Sequence, residues 1–147
     1  MTSVDVTTAI DIARPRREVA AYAADPDHAP EWYPNIDQVS WQTEKPLAVG
    51  SRLAFVARFL GRTLEYTYEV TDLVPGERLV MATSEGPFPM ETSYAWTDRP
   101  GGQTHMTLRN RGTPSGFAGV AAPIMSAAMR RANGKDLAAL KALLESR

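Results

Sequence analysis

The sequence predicts an α+β protein: a seven-stranded, curved antiparallel sheet wrapped around one long C-terminal helix, with two short helices after the first strand. Three observations predict it. Between Ile36 and Arg111, six stretches place apolar residues at every second position, the period of a strand. Their connections are short and rich in Gly or Pro, as antiparallel hairpins require, and no strand alternates with a helix as a parallel sheet would demand. From Ser115 to Ser146 strand chemistry disappears, and apolar residues recur at helical intervals.

In chain order, VDVTTAIDI gives a first strand through Val4, Val6, Ala9 or Ile10, and Ile12, ending before Arg14-Pro15. Pro15 suits the first turn of a helix, where its missing N–H costs nothing, and PRREVAAYAA then places Val19 and Tyr22 on one face. Asp25-Pro26 reads as the cap and first residue of a second short helix, which Pro34 ends. The six strands that follow are IDQVSWQ, SRLAFVARFL, RTLEYTYEVTDL, RLVMATS, METSYAWTD and THMTLRNR, with KPLAVG, Gly61, VPGE, EGPFP and RPGG in the connections. The last segment sets Phe117, Val120, Ile124, Ala128, Leu137, Leu140 and Leu144 on one helical stripe. About 30 residues at 1.5 Å each would span roughly 45 Å. Pro123 should kink that helix or mark its true start, and Gly134 weakens it by about 1 kcal/mol relative to alanine.

A chain of 147 residues is expected to form one domain, 1–147, whose single core needs no staples. With 16 basic against 17 acidic residues it lacks the field that gathers phosphates, which argues against nucleic acid as a partner. The absence of cysteine excludes disulfides, thiolate nucleophiles and thiolate metal sites. MTSVDVTTAIDI alternates polar with apolar residues and is no export signal, and no run approaches the ~18 apolar residues of a membrane span. A cytoplasmic protein without an integral membrane segment is expected.

A strongly twisted sheet that grips a helix leaves a cavity wherever the two fail to touch. Strand parity puts Leu64, Tyr66, Tyr68 and Val70 on the inner face, with Leu53, Phe55, Ala57 and Phe59 from the preceding strand and Met90, Thr92, Tyr94 and Trp96 from a later one. Met81 and Met106 are expected with them. This face is aromatic and carries phenol hydroxyls, which need partners when buried, whereas a dry core would use Leu, Ile and Val. It reads as a pocket for a small hydrophobic or aromatic molecule, with the tyrosines as polar handles and Met125 and Met129 as adaptable walls. Trp32, on the second short helix, is expected to close one side of the concave face.

The runs IDIARPRREVAAYAADPDHAPEWYP, YEVTDLVPGERLV and MRRANGKDLAALKALLES resemble the START/Bet v 1-like superfamily, and within it the polyketide cyclase/dehydrase-type SRPBCC proteins. The resemblance spans essentially the whole chain. It implies a helix-grip fold with a deep hydrophobic cavity between sheet and C-terminal helix. Its members include lipid and hormone carriers, ubiquinone-binding proteins, aromatase/cyclases and Hsp90-activator-like domains, so the fold alone does not fix the function. The ligand implied is a lipid or a polyketide-like metabolite.

An enzyme in this cavity would need a general acid or base reaching into it. Of the two histidines, His105 alternates with inward-facing Met106 and so points out, while His28 shares a helical turn with Glu31. Asp25, Asp27, His28 and Glu31 are therefore expected to form a cap and a solvated face. No metal site or cofactor is expected, since two separated histidines leave too few converging ligands and no phosphate-binding glycine loop occurs. By the same parity Asn110 faces in and Arg109 out. Asn110, Tyr66, Tyr68 and Tyr94 would either orient a carbonyl or phenol or simply bond to one another. The residues expected to bind ligand are Trp32, Phe55, Phe59, Tyr66, Tyr68, Met81, Tyr94, Trp96, Met106, Asn110, Met125 and Met129, with no catalytic residue assigned. The alternatives are a cyclase, aromatase or dehydratase in the same cavity, and an Hsp90-activator-like interaction module.

Overall fold

The computed structural model describes residues 3–114 and 120–147. Strand β1 (Val4–Ile12) leads to helix α1 (Arg16–Ala23), a 3-10 turn (Pro26–His28) and the single-turn helix α2 (Ala29–Trp32). Six strands follow: β2 (Ile36–Trp41), β3 (Arg52–Phe59), β4 (Arg62–Val74), β5 (Arg78–Glu85), β6 (Met90–Arg99) and β7 (Gln103–Gly112). Helix α3 (Ala122–Glu145) closes the chain. The seven strands form one antiparallel sheet in the order β1-β7-β6-β5-β4-β3-β2. Register shifts at Ile36/Gln38, Thr67/Tyr68 and Val70/Asp72 mark bulges, which bend the strands that carry them and raise the local twist.

The second short helix is broken where one continuous element is expected. Asp25 caps it, its carboxylate accepting from the Asp27 amide at 3.0 Å. Pro30, however, has no N–H to give to the Pro26 carbonyl, so the first turn closes by tighter i+3 bonds before α2 begins. Helix α3 is also shorter than expected. Pro123 stands in its first turn, so it marks the start and does not kink the helix, and the 24 residues span roughly 36 Å. Gly134 does not interrupt it.

The buried stripe of α3 is displaced by one residue at its N-terminal end. Met125, Met129, Asn133, Asp136, Leu137, Leu140 and Leu144 face the interior, while Ile124 is 64% exposed. Two apolar pairs one residue apart, Ile124/Ala128 and Met125/Met129, satisfy the helical period equally; continuity with the leucine stripe decides for the methionines. Phe117 lies outside the described residues.

Two hydrophobic clusters result. The larger joins Ile12, Val19, Trp32, Leu53, Leu79, Trp96, Met106, Leu108, Leu137, Leu140 and Leu144. The smaller holds Val4, Val6, Phe88, Met125 and Met129. Asn133 and Asp136 sit on α3 between the parts that feed these two clusters, and there the interior opens. No described helix is long and apolar enough to cross a membrane.

Candidate functional site

The cavity between sheet and α3 encloses about 110 Å³. That is of the same order as the roughly 150 Å³ apolar cavities known to take up benzene. Strand alternation supplies its walls. Phe55 and Phe59 come from β3, Leu64, Tyr66 and Tyr68 from β4, Leu79 and Met81 from β5, and Met90, Thr92 and Tyr94 from β6. Asn110 of β7 faces in as parity requires, while Arg109 faces out and holds Asp5 with both Nε and Nη2, at 2.8 and 2.6 Å. From the helical side, Tyr33, Asn35, Met129, Asn133 and Asp136 complete the enclosure.

Most phenols here are already engaged with protein. The Tyr68 hydroxyl lies 2.7 Å from Thr92 Oγ1, which in turn donates to Asn110 Oδ1 at 2.5 Å. Tyr33 and Tyr94 share a hydrogen bond of 2.5 Å between their hydroxyls. Tyr66 differs. Its ring stacks on Phe55 and meets Tyr68 edge-on, with centroids 5.5 and 4.9 Å apart, yet its hydroxyl makes no hydrogen bond among the described residues. Burial holds all four phenols above their ordinary pKa, Tyr68 at about 12, so they are neutral donors and acceptors and not bases.

Asp136 is the one strongly perturbed carboxyl. It is 3% exposed, lines the cavity, and makes neither ion pair nor hydrogen bond among the described residues. Desolvation alone pushes its pKa up to about 7. Nearby, Asn35 Oδ1 and Asn133 Nδ2 are buried without partners among the described residues. The cavity therefore combines a closed polar network on the sheet side with open polar groups on the helix side.

Eight of the twelve expected ligand-binding residues line this space: Phe55, Phe59, Tyr66, Tyr68, Met81, Tyr94, Asn110 and Met129. Four do not. Trp32 is 1% exposed and lies behind the wall, its ring 4.0 Å from that of Tyr33, which takes the lining position instead. Met106 and Trp96 face inward but sit farther along their strands, in the larger core, and Trp96 borders an outer groove under α1. Met125 packs on Val4, Val6 and Phe88. Parity fixes the face of a residue and not its depth along the strand.

Tyr33, Asn35, Asn133 and Asp136 were missed by sequence reasoning. For the last two a signal existed: carried backward in steps of three and four from Leu144 and Leu140, the leucine stripe runs through Asp136 and Asn133 to Met129. Two polar residues on an apolar stripe mark either a packing fault or a site.

The polar cluster of the short helices proves to be a strap. The Asp27 carboxylate accepts from Trp41 Nε1 at 2.8 Å and Lys45 Nζ at 2.6 Å, tying the 3-10 turn to the end of β2 and the segment after it. His28 stacks on Tyr22 at 4.0 Å, and the Tyr22 hydroxyl donates to Glu31 at 2.6 Å. His105 lies outside the sheet with its Nδ1 2.7 Å from Asp11. Among the described residues no group of His, Asp and Glu side chains is arranged to hold a metal ion.

Residues 3–145 match the family described as polyketide cyclase / dehydrase and lipid transport. No curated protein matches the chain in sequence. Solved structures that share the fold include a START superfamily protein from Mycobacterium smegmatis, with 14% identity, 97% of each chain covered and a TM-score of 0.84. Another is the Zhui aromatase/cyclase from Streptomyces sp. R1128, with 19% identity, 99% of this chain and 95% of that one covered, and a TM-score of 0.80. Ginseng major latex-like protein 151 from Panax ginseng is a third, with 15% identity, 97% of each chain covered and a TM-score of 0.75. At these identities the likeness extends to the seven-stranded helix-grip fold and not to a ligand.

Proposed function

The chain belongs to the polyketide cyclase / dehydrase and lipid transport family, and from that premise we propose that it binds a small hydrophobic or aromatic molecule, of lipid or polyketide-like character, in the cavity between sheet and α3. The observation that carries this reading is the Asp136 carboxyl: an apolar interior holds a polar side chain on a cavity wall with no hydrogen-bond or ion-pair partner among the described residues. Burying an ionisable group this way costs stability, and selection for packing alone would replace it. Tyr66 supports the reading, since its hydroxyl is the open phenol of the set. We place this activity in one domain, 1–147, in the cytoplasm.

The test is to fill the space. Ala57 is buried on the cavity wall, and Ala57→Phe should remove binding of a hydrophobic fluorescent probe while circular dichroism stays native. Retained probe binding in the folded variant would place the binding elsewhere.

One feature favours a second reading, a cyclase, aromatase or dehydratase. A carboxyl with a pKa of about 7 is matched to general acid–base work near neutrality, and Asp136 would exchange protons with a substrate held among the tyrosines. Asp136→Asn separates the readings. Turnover lost with binding of neutral ligands kept supports an enzyme, whereas no turnover in either protein on candidate polyketide substrates supports a carrier.

A further inference from the structure

The titratable side chains that line the cavity are Asp25, Tyr33, Tyr66, Tyr68, Tyr94 and Asp136. Every one of them is an acid. Among the described residues no Lys, Arg or His lines the cavity, and residues 115–119, Ser-Gly-Phe-Ala-Gly, contain no charged residue. Asp25 is committed to capping the 3-10 turn. The Tyr68 hydroxyl donates to Thr92, which itself donates to Asn110, and one of the Tyr33 and Tyr94 hydroxyls donates to the other. Outside, a groove along α3 shares Asp136 with the cavity and contains Arg58, Arg131 and Lys135. Arg58 is paired with Asp37 at 2.9 Å, and no ion pair joins any of the three to Asp136 among the described residues.

A carboxylate on the wall of a largely apolar chamber, with no cation beside it and no donor bonded to it among the described residues, is incomplete, and the ligand can bring its partner. We propose that this cavity selects a ring-bearing molecule that presents a hydrogen-bond donor, an ammonium N–H or a hydroxyl O–H, to Asp136, and that it rejects molecules ending in a carboxylate. The proposal rests on the small-molecule reading above and narrows its ligand class. A donor gains a charge-assisted hydrogen bond of about twice the neutral strength, and an ammonium also gains the π-faces of the surrounding tyrosines. A carboxylate ligand meets the opposite situation: two carboxylates in one site cannot both ionise without a large cost. The Tyr66 hydroxyl remains to serve a carbonyl elsewhere on the ligand.

The test uses three one-ring probes that differ in their polar end: phenethylamine, phenethyl alcohol and hydrocinnamic acid. Affinities are measured by NMR titration on the wild-type protein and Asp136→Asn at about pH 8, where the amine and the acid are both charged. The amine and the alcohol should each bind at least about tenfold more tightly than the acid, and Asp136→Asn should bring all three within about threefold. An amine that outbinds the alcohol identifies an ammonium ligand, and an alcohol that equals or outbinds the amine identifies a hydroxyl ligand. The proposal is overturned if the acid binds as tightly as either donor, or if the wild-type order survives in Asp136→Asn. Failure of all three probes, together with failure to bind any hydrophobic dye, overturns the small-molecule reading itself.

Discussion

Helix α3 has two characters along one face. Its C-terminal part inserts Leu137, Leu140 and Leu144 into the larger core, each about 1% exposed or less. Its middle part turns Met129, Asn133 and Asp136 to the cavity. Same helix, same face, and the chemistry changes within one turn. The leucines contribute roughly 2 kcal/mol each by burial, while Asp136 subtracts stability by being desolvated unpaired. The contrast teaches that the grip of sheet on helix is anchored at one end and left unfinished in the middle, where a ligand is proposed to complete it.

Breaking the anchored end should give the largest effects. Leu140→Ala should cost about 2–5 kcal/mol in chemical denaturation, and Trp32→Ala, which removes the support behind Tyr33, about 3–5 kcal/mol. His28→Ala, by contrast, should cost under about 1 kcal/mol, because its ring is half-buried and stacked on one neighbour. Equal, small losses for Trp32 and His28 would remove the distinction between core and strap.

At the unfinished middle the effect should reverse in sign. Asp136 has its pKa raised from 3.8 to about 7 only in the folded state, so the unfolded chain gives up this proton first. Its contribution to stability falls as pH rises from about 4 to about 7 and stays low above that. Asp136→Asn should therefore stabilise the protein at about pH 8 by an amount on the order of 1–4 kcal/mol, and should leave stability near pH 4 almost unchanged. Denaturation midpoints across that range check it, and a variant less stable at every pH would mean that Asp136 has a partner.

Gly134 lies in the middle part, between Asn133 and Asp136, and a Cβ there would meet nothing within 4 Å. Gly134→Ala should stabilise by roughly 0.5–1 kcal/mol through helix propensity alone and should leave ligand affinity unchanged. Altered binding would show that the helix must bend there to open the cavity.

The same contrast explains what was legible in the sequence. Period-two alternation in RTLEYTYEVTDL and METSYAWTD puts the tyrosines inside, and the turn residues give strand order and length to within a residue or two. Depth was not legible: Trp96 and Tyr94 share a face, yet one lies in the packed core and the other on the cavity wall. Helix phase was ambiguous between Ile124 and Met125 because short apolar repeats fit either. Asp136 was not singled out, since charged residues are buried so seldom that only its place in the leucine stripe marks it.

The most direct measurement is amide NMR mapping of the wild-type protein as phenethyl alcohol is added. Shifts should concentrate at Tyr66, Asn133 and Asp136 and leave Leu140 and Leu144 nearly unmoved. Shifts confined to the outer groove around Trp41 and Lys45, or spread evenly along α3, would contradict it.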